Sequence, residues 1–149
     1  MAGGTSAHAI IQRNLITALT NRLRGKPCRP YGSDMKIEAA GAIRYPDAFV
    51  CTPVPLDATV VDDPVVIFEV LSPSTATTDQ FAKNREYAAT PSVQRYVMLA
   101  QDRQAATVFA REGTDWVGRL LGENATLAMP EIGIEIPLAE LYADLEAPP

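Results

Sequence analysis

A chain of 149 residues with 47% hydrophobic and 21% charged residues is long enough to bury one independent core and has the make-up of an ordinary globular domain, which excludes disordered and fibrous classes. Its formal charge of −5 argues against tight nonspecific affinity for nucleic acid, and no stretch approaches the roughly 20 apolar residues of a membrane-spanning helix. The opening Met1-Ala2-Gly3-Gly4-Thr5-Ser6 lacks the basic and apolar regions of a signal peptide, so the expected setting is cytoplasmic with no membrane partner.

The first predicted element spans residues 6–24, where His8, Ile11, Leu15, Leu19 and Leu23 follow the spacing of one helical face until Gly25 and Pro27 end the pattern. His8 on that stripe suits a packed core histidine. Arg22, Arg24, Lys26 and Arg29 then form the one basic cluster. Residues 1–52 hold seven Lys or Arg against three acids, or +4, which leaves six against fifteen, or −9, for the other 97. Such a cluster can meet phosphates, but cations offsetting a solvated helix end are the simpler account.

Strands are predicted over residues 29–38, 44–51 and 64–71, with Pro53-Val54-Pro55 and Asp62-Asp63-Pro64 marking a long surface loop between the last two. Cys28 and Cys51, 23 positions apart, match no redox or zinc spacing and read as structural thiols. Thr77-Thr78-Asp79-Gln80 has capping-box form ahead of a helix over 78–89, which Pro91 ends. Strands follow over 94–100, 106–111 and 116–121, Gly113 suiting a hairpin with a positive φ. Residues 137–145 make a closing helix, with Pro137 acceptable in its first turn.

The segment with most chemical content is the apolar run Val65-Val66-Ile67-Phe68, broken by Glu69 and resumed by Val70 and Leu71. A run this short reads as a strand covered on both faces, where an ionised carboxylate is expensive without a partner. Asp47, in Tyr45-Pro46-Asp47, lies 22 positions upstream on another strand. If the two strands pair with the acids in register, both carboxylates converge and suit a hard cation such as Mg²⁺, which keeps waters for a phosphate to displace. Plainer accounts exist for each residue: Pro-Asp is a common strand entry, and a salt bridge can satisfy Glu69. Asp79, Lys83 and Tyr87 line one face of the second helix. There Asp79 and Lys83 either form an exposed pair contributing about 0.2 to 0.5 kcal/mol or turn the ammonium toward the site.

The order Tyr45-Pro46-Asp47, Phe68-Glu69-Val70-Leu71-Ser72-Pro73-Ser74-Thr75, then Asp79, Lys83, Tyr87 and Gln94-Arg95-Tyr96-Val97 resembles the Uma-type family of putative restriction endonucleases, in the PD-(D/E)XK nuclease superfamily. The likeness runs from Ser6 and His8 to Leu138-Ala139-Glu140-Leu141-Tyr142. It implies an α/β fold with a restriction-endonuclease-like core, a mixed sheet flanked by helices. It further implies that Asp47, Glu69 and the Val70 carbonyl ligate Mg²⁺ or Mn²⁺, and that Lys83 stabilises charge or positions water as a phosphodiester of nucleic acid, expected to be DNA, is hydrolysed. The superfamily's usual Lys, two residues after the second acid, is Leu71 here, so Lys83 must reach the site from the helix. Asp34 falls where the family often has an acid and is assigned no role.

The whole chain, residues 1–149, is expected to form one domain that lacks the family's usual amino-terminal helix, strand and further Glu. A sheet edge left exposed in that way favours a homodimer. The rival to an endonuclease is a noncatalytic nuclease-like module for binding or assembly, and a more distant one is an unrelated α/β domain in which an Arg pairs with Glu69.

Overall fold

Eighteen residues form the first helix, α1 (Ser6–Leu23), because their apolar positions recur on one side and Thr5 caps the start by accepting the His8 amide at 3.1 Å. The computed structural model describes residues 4–72 and 77–145. Pro73, Ser74 and Thr75 of the family-like string, and the Thr77 side chain of the capping box, lie outside what it describes. No helix among the described residues is long and apolar enough to cross a membrane.

The elements after α1 are β1 (Arg29–Gly32), β2 (Lys36–Ala39), β3 (Ala42–Arg44), β4 (Ala48–Cys51), β5 (Val60–Val61), β6 (Val66–Val70), α2 (Thr77–Ala88), β7 (Arg95–Leu99), β8 (Ala106–Glu112), β9 (Asp115–Leu121), β10 (Thr126–Met129), β11 (Ile134–Pro137) and α3 (Leu138–Leu141). Six strands build the main sheet in the order β1-β4-β6-β7-β8-β9. Within this sheet the one parallel pair among the described residues is β6 and β7, and α2 lies between them in sequence, as a parallel crossover requires. The sheet is mixed.

Every residue of β4 and β6 is buried, which is why β6 reads as a nearly unbroken apolar run. Ala48, Val50, Val66, Phe68 and Val70 pack toward Ile11, Leu15 and Leu19 of α1, together with Leu127 and Met129 of β10 and Leu138 and Leu141 of α3. On the opposite face Phe49, Cys51, Ile67, Tyr96 and Met98 meet Tyr87 of α2, with Ile37 and Val61 from the small β3-β2-β5 sheet. Both cysteines are free thiols, and burial pushes Cys51 up to about 11.

The expected strand over 29–38 is two strands in different sheets, parted by a turn closed by the Met35 amide on the Gly32 carbonyl at 3.3 Å. The expected strand over 44–51 starts only at Ala48 in the main sheet. Arg44 belongs to β3, and Pro46, with no N–H, cannot extend a ladder. The closing helix is a single turn, Leu138–Leu141, followed by Asp144 at a positive φ of 67°. The basic cluster is divided: Arg22 makes a bidentate pair with Glu140 at 2.6 and 2.7 Å, while Arg24, Lys26 and Arg29 are exposed. That end of α1 lies roughly 24 Å along the helix from His8, at 1.5 Å per residue.

Candidate active site

Pairing between β4 and β6 ends at Ala48↔Phe68, and one more step of the same register would set Asp47 opposite Glu69. The ladder stops there because Pro46 precedes Asp47, and a side chain takes over from the backbone. The Val70 amide donates to Asp47 Oδ2 at 2.8 Å. Since an extended residue sends its N–H and C=O from one edge, the Val70 carbonyl leaves β6 on the Asp47 side. Two groups from α1 reach the same residue: His8 Nε2 lies 3.2 Å from Asp47 Oδ1, and Gln12 Nε2 donates to the Asp47 carbonyl at 2.9 Å.

Glu69 is 8% exposed. Burial pushes its carboxyl above the ordinary value, Lys83 pulls it back, and the nearby Asp47 charge adds to the rise. The partner is a lysine from α2: Lys83 Nζ lies 3.2 Å from Glu69 Oε2 and 3.1 Å from Asp79 Oδ2. Burial lowers the Lys83 pKa, but Glu69 and Asp79 together outweigh it and leave it raised, so the ammonium stays charged. Arg44 fixes α2 from the other side through a bidentate pair with Glu86 at 2.9 and 2.7 Å.

Beneath Glu69 lie two tyrosines whose rings meet edge to face at 4.7 Å. Tyr87 directs its hydroxyl to Glu69 Oε1 at 3.5 Å. The Tyr96 hydroxyl is buried in the field of Glu69 without a hydrogen bond of proper geometry among the described residues. Burial first and the Glu69 charge second push both phenols well up, so they remain neutral.

Against this geometry, the model of the Uma2 family, described as putative restriction endonucleases, matches residues 1–139. The chain belongs to the Uma2 family. This Uma2 member is 30% identical over 150 residues to an uncharacterized protein of Synechocystis sp., a match that covers 97% of this chain and 79% of that one. Among solved structures it resembles a putative nuclease of the DUF820 group from Anabaena variabilis, with a TM-score of 0.79 at 14% identity over 94% of this chain and 82% of the other. At that identity the likeness shows the fold, a restriction-endonuclease-like mixed sheet flanked by helices.

Asp47, Glu69, Val70 and Lys83 of this Uma2 chain thus lie at one end of the sheet, where β6 finishes, β4 begins and α2 closes over. Glu69 pairs with Lys83 rather than with an Arg. Asp34 is exposed in the turn between β1 and β2. Among the described residues no three or more of His, Cys, Asp and Glu form a cage for a metal. Two hard carboxylates side by side fit Mg²⁺ or Mn²⁺, ions that take one or two protein acids and keep the remaining positions for water and phosphate oxygens. Sequence reasoning placed His8 in the core stripe, whereas the imidazole is half-buried against Asp47. It gave Tyr96 no role at the site, since a tyrosine inside an apolar strand carries no outward sign of what its hydroxyl faces.

Proposed function

We propose that this Uma2 member is a metal-dependent nuclease that hydrolyses phosphodiester bonds of DNA. Asp47 and Glu69 hold Mg²⁺ or Mn²⁺, with the Val70 carbonyl as a further ligand. The observation that carries the reading is a charge imbalance in a half-buried place. Three carboxylates, Asp47, Glu69 and Asp79, gather there: Lys83 meets Glu69 and Asp79, the Asp47 charge acts on Glu69, and Arg44, itself paired with Glu86, reaches Asp79 at 3.9 Å. With Glu86 counted, four acids stand against two Lys or Arg, an excess of two negative charges that favours a cation.

When bound, the ion neutralises charge on the phosphate and activates water. The chain's own groups supply the rest. The Val70 amide fixes one oxygen of Asp47, so that the carboxylate keeps its orientation as substrate arrives. Lys83, 20% exposed and held between two acids, keeps its ammonium at the site as a fixed positive charge for the phosphate oxygens. Tyr87 and Tyr96 fill the space under Glu69 and exclude water from its inner side.

A noncatalytic binding module is favoured by one observation: Lys83 already satisfies Glu69, and a salt-bridged Glu needs no metal. Nicking of supercoiled plasmid in Mn²⁺ separates the two readings. The nuclease cuts, and Glu69→Ala, at equal salt and equal folded fraction, slows it by about a thousandfold, about 4 kcal/mol of transition-state stabilisation. Equal rates for the two proteins, or no cutting by either, would favour the module.

A further inference from the structure

His8 is the chain's one histidine, and the reaction proposed above gives it no task. Its placement is nevertheless over-determined. The Thr5 hydroxyl accepts the His8 amide at 3.1 Å and so fixes the first turn of α1. The Gly4 backbone lies against the ring so closely that a Cβ there would sit 2.9 Å from the imidazole Cγ. With both restraints in force, Nε2 meets Asp47 Oδ1 at 3.2 Å.

Asp47 needs such support. It lies just outside β4, whose ladder begins at Ala48, so strand pairing does not orient it. Three contacts do so: Val70 N–H on Oδ2, His8 on Oδ1, and the Gln12 side chain, one turn along α1, on the carbonyl. Residues at i and i+4 of one helix therefore grip one aspartate by side chain and main chain.

We propose that His8 is a positioning residue which donates from Nε2–H to Asp47 Oδ1 and sets the face that this carboxylate turns to a divalent cation. The assignment rests on the metal-site reading above and extends it to α1. An imidazole nitrogen that carries a proton has no lone pair for a metal, so at Nε2 donation to Asp47 and ligation exclude each other. His8 acts through Asp47, as groups behind metal-binding carboxylates do.

The test uses the untagged full chain. With one histidine, the imidazole nitrogen signals of labelled protein need no sorting. In the metal-free protein Nε2 carries the proton, and Asp47→Ala displaces its signal. An unprotonated Nε2, or a spectrum indifferent to Asp47→Ala, overturns the proposal. Mn²⁺ titration followed by electron paramagnetic resonance gives the second arm. His8→Ala weakens binding about 10- to 100-fold, while His8→Gln, whose amide nitrogen can replace Nε2 as donor, stays within about threefold of the starting protein. Gly4→Ala, which keeps the imidazole but pushes it from its present position, falls between them. Binding by His8→Ala as tight as in the starting protein, or imidazole nitrogen coupled directly to Mn²⁺, contradicts the positioning role. No Mn²⁺ uptake by the starting protein overturns the metal reading and the purpose of the clamp, whereas the imidazole spectrum reports the hydrogen bond in either case.

Discussion

The parallel strands β6 and β7 each carry a largely covered charge pair, and the two pairs sit at opposite ends of the sheet. Arg95, at the start of β7 opposite Val66, meets Glu131 through two hydrogen bonds of 2.7 and 3.0 Å, with both side chains about equally covered, 16% and 14% exposed. One acid meets one base in the bidentate fork that guanidinium and carboxylate form best. At the other end Glu69 receives a single bond from Lys83, shares that ammonium with Asp79, and lies close enough to Asp47 for the two charges to repel. The first pair is closed and neutral; the second is open and short of positive charge. A protein that needed only a folded sheet has no physical reason to keep the second arrangement, which is where strain against stability points to function.

The largest expected difference is in folding stability. Glu131→Gln leaves the part-buried Arg95 without its partner and lowers stability by about 3 kcal/mol. Plasmid nicking per folded molecule is unchanged, because the pair stands at the far end of the sheet. Urea unfolding with nicking on the same preparation checks both halves. A fall in specific nicking would break the division between the two ends.

Lys83→Met gives a smaller loss, about 2 kcal/mol near pH 8, and the loss depends on pH. A carboxyl raised in the folded state contributes most below its ordinary value of 4.5, and that contribution is lost as pH rises through the folded pKa. Removing Lys83 raises Glu69 further, so the deficit against the starting protein is small near pH 5 and grows toward pH 8. Unfolding curves that differ equally at both values would show that Glu69 is not the buried charge that Lys83 offsets. The smallest effect belongs to Tyr96→Phe. Its hydroxyl faces Glu69 but makes no well-formed hydrogen bond among the described residues, so deleting it changes stability by less than about 1 kcal/mol, toward neutral or more stable. A loss above that, by thermal unfolding, would mean that the phenol supports Glu69.

Much of this contrast was legible in the residues before the fold was known. The spacing from His8 to Leu23 marked α1 because a long helix with one buried face repeats its signal several times, and Glu69 stood out because an acid inside an apolar run is costly. The small sheet was hidden: β2 and β3 turn through Ala40 and Gly41 at positive φ, and β5 has only two residues, too few to show alternation. Strands β10 and β11 alternate buried and exposed positions over four residues each, which is short enough to pass for loop. At the site, periodicity identified the faces carrying His8 and Lys83 but could not say what each meets. The contacts of Asp47 with His8 and Gln12 span 39 and 35 positions, and only the fold brings them together.

The most direct test of the open site is the thermal stability of the chain and of Glu69→Gln at neutral pH, each with and without Mg²⁺. The starting protein gains about 1.4 kcal/mol with the ion at ten times its dissociation constant. Glu69→Gln unfolds at a higher temperature than the starting protein when metal-free, because a buried charge is gone, and gains nothing from Mg²⁺. A metal-free Glu69→Gln that is less stable, or one that Mg²⁺ still stabilises to the same extent, would contradict the view that Glu69 is kept at a cost to stability in order to hold a cation.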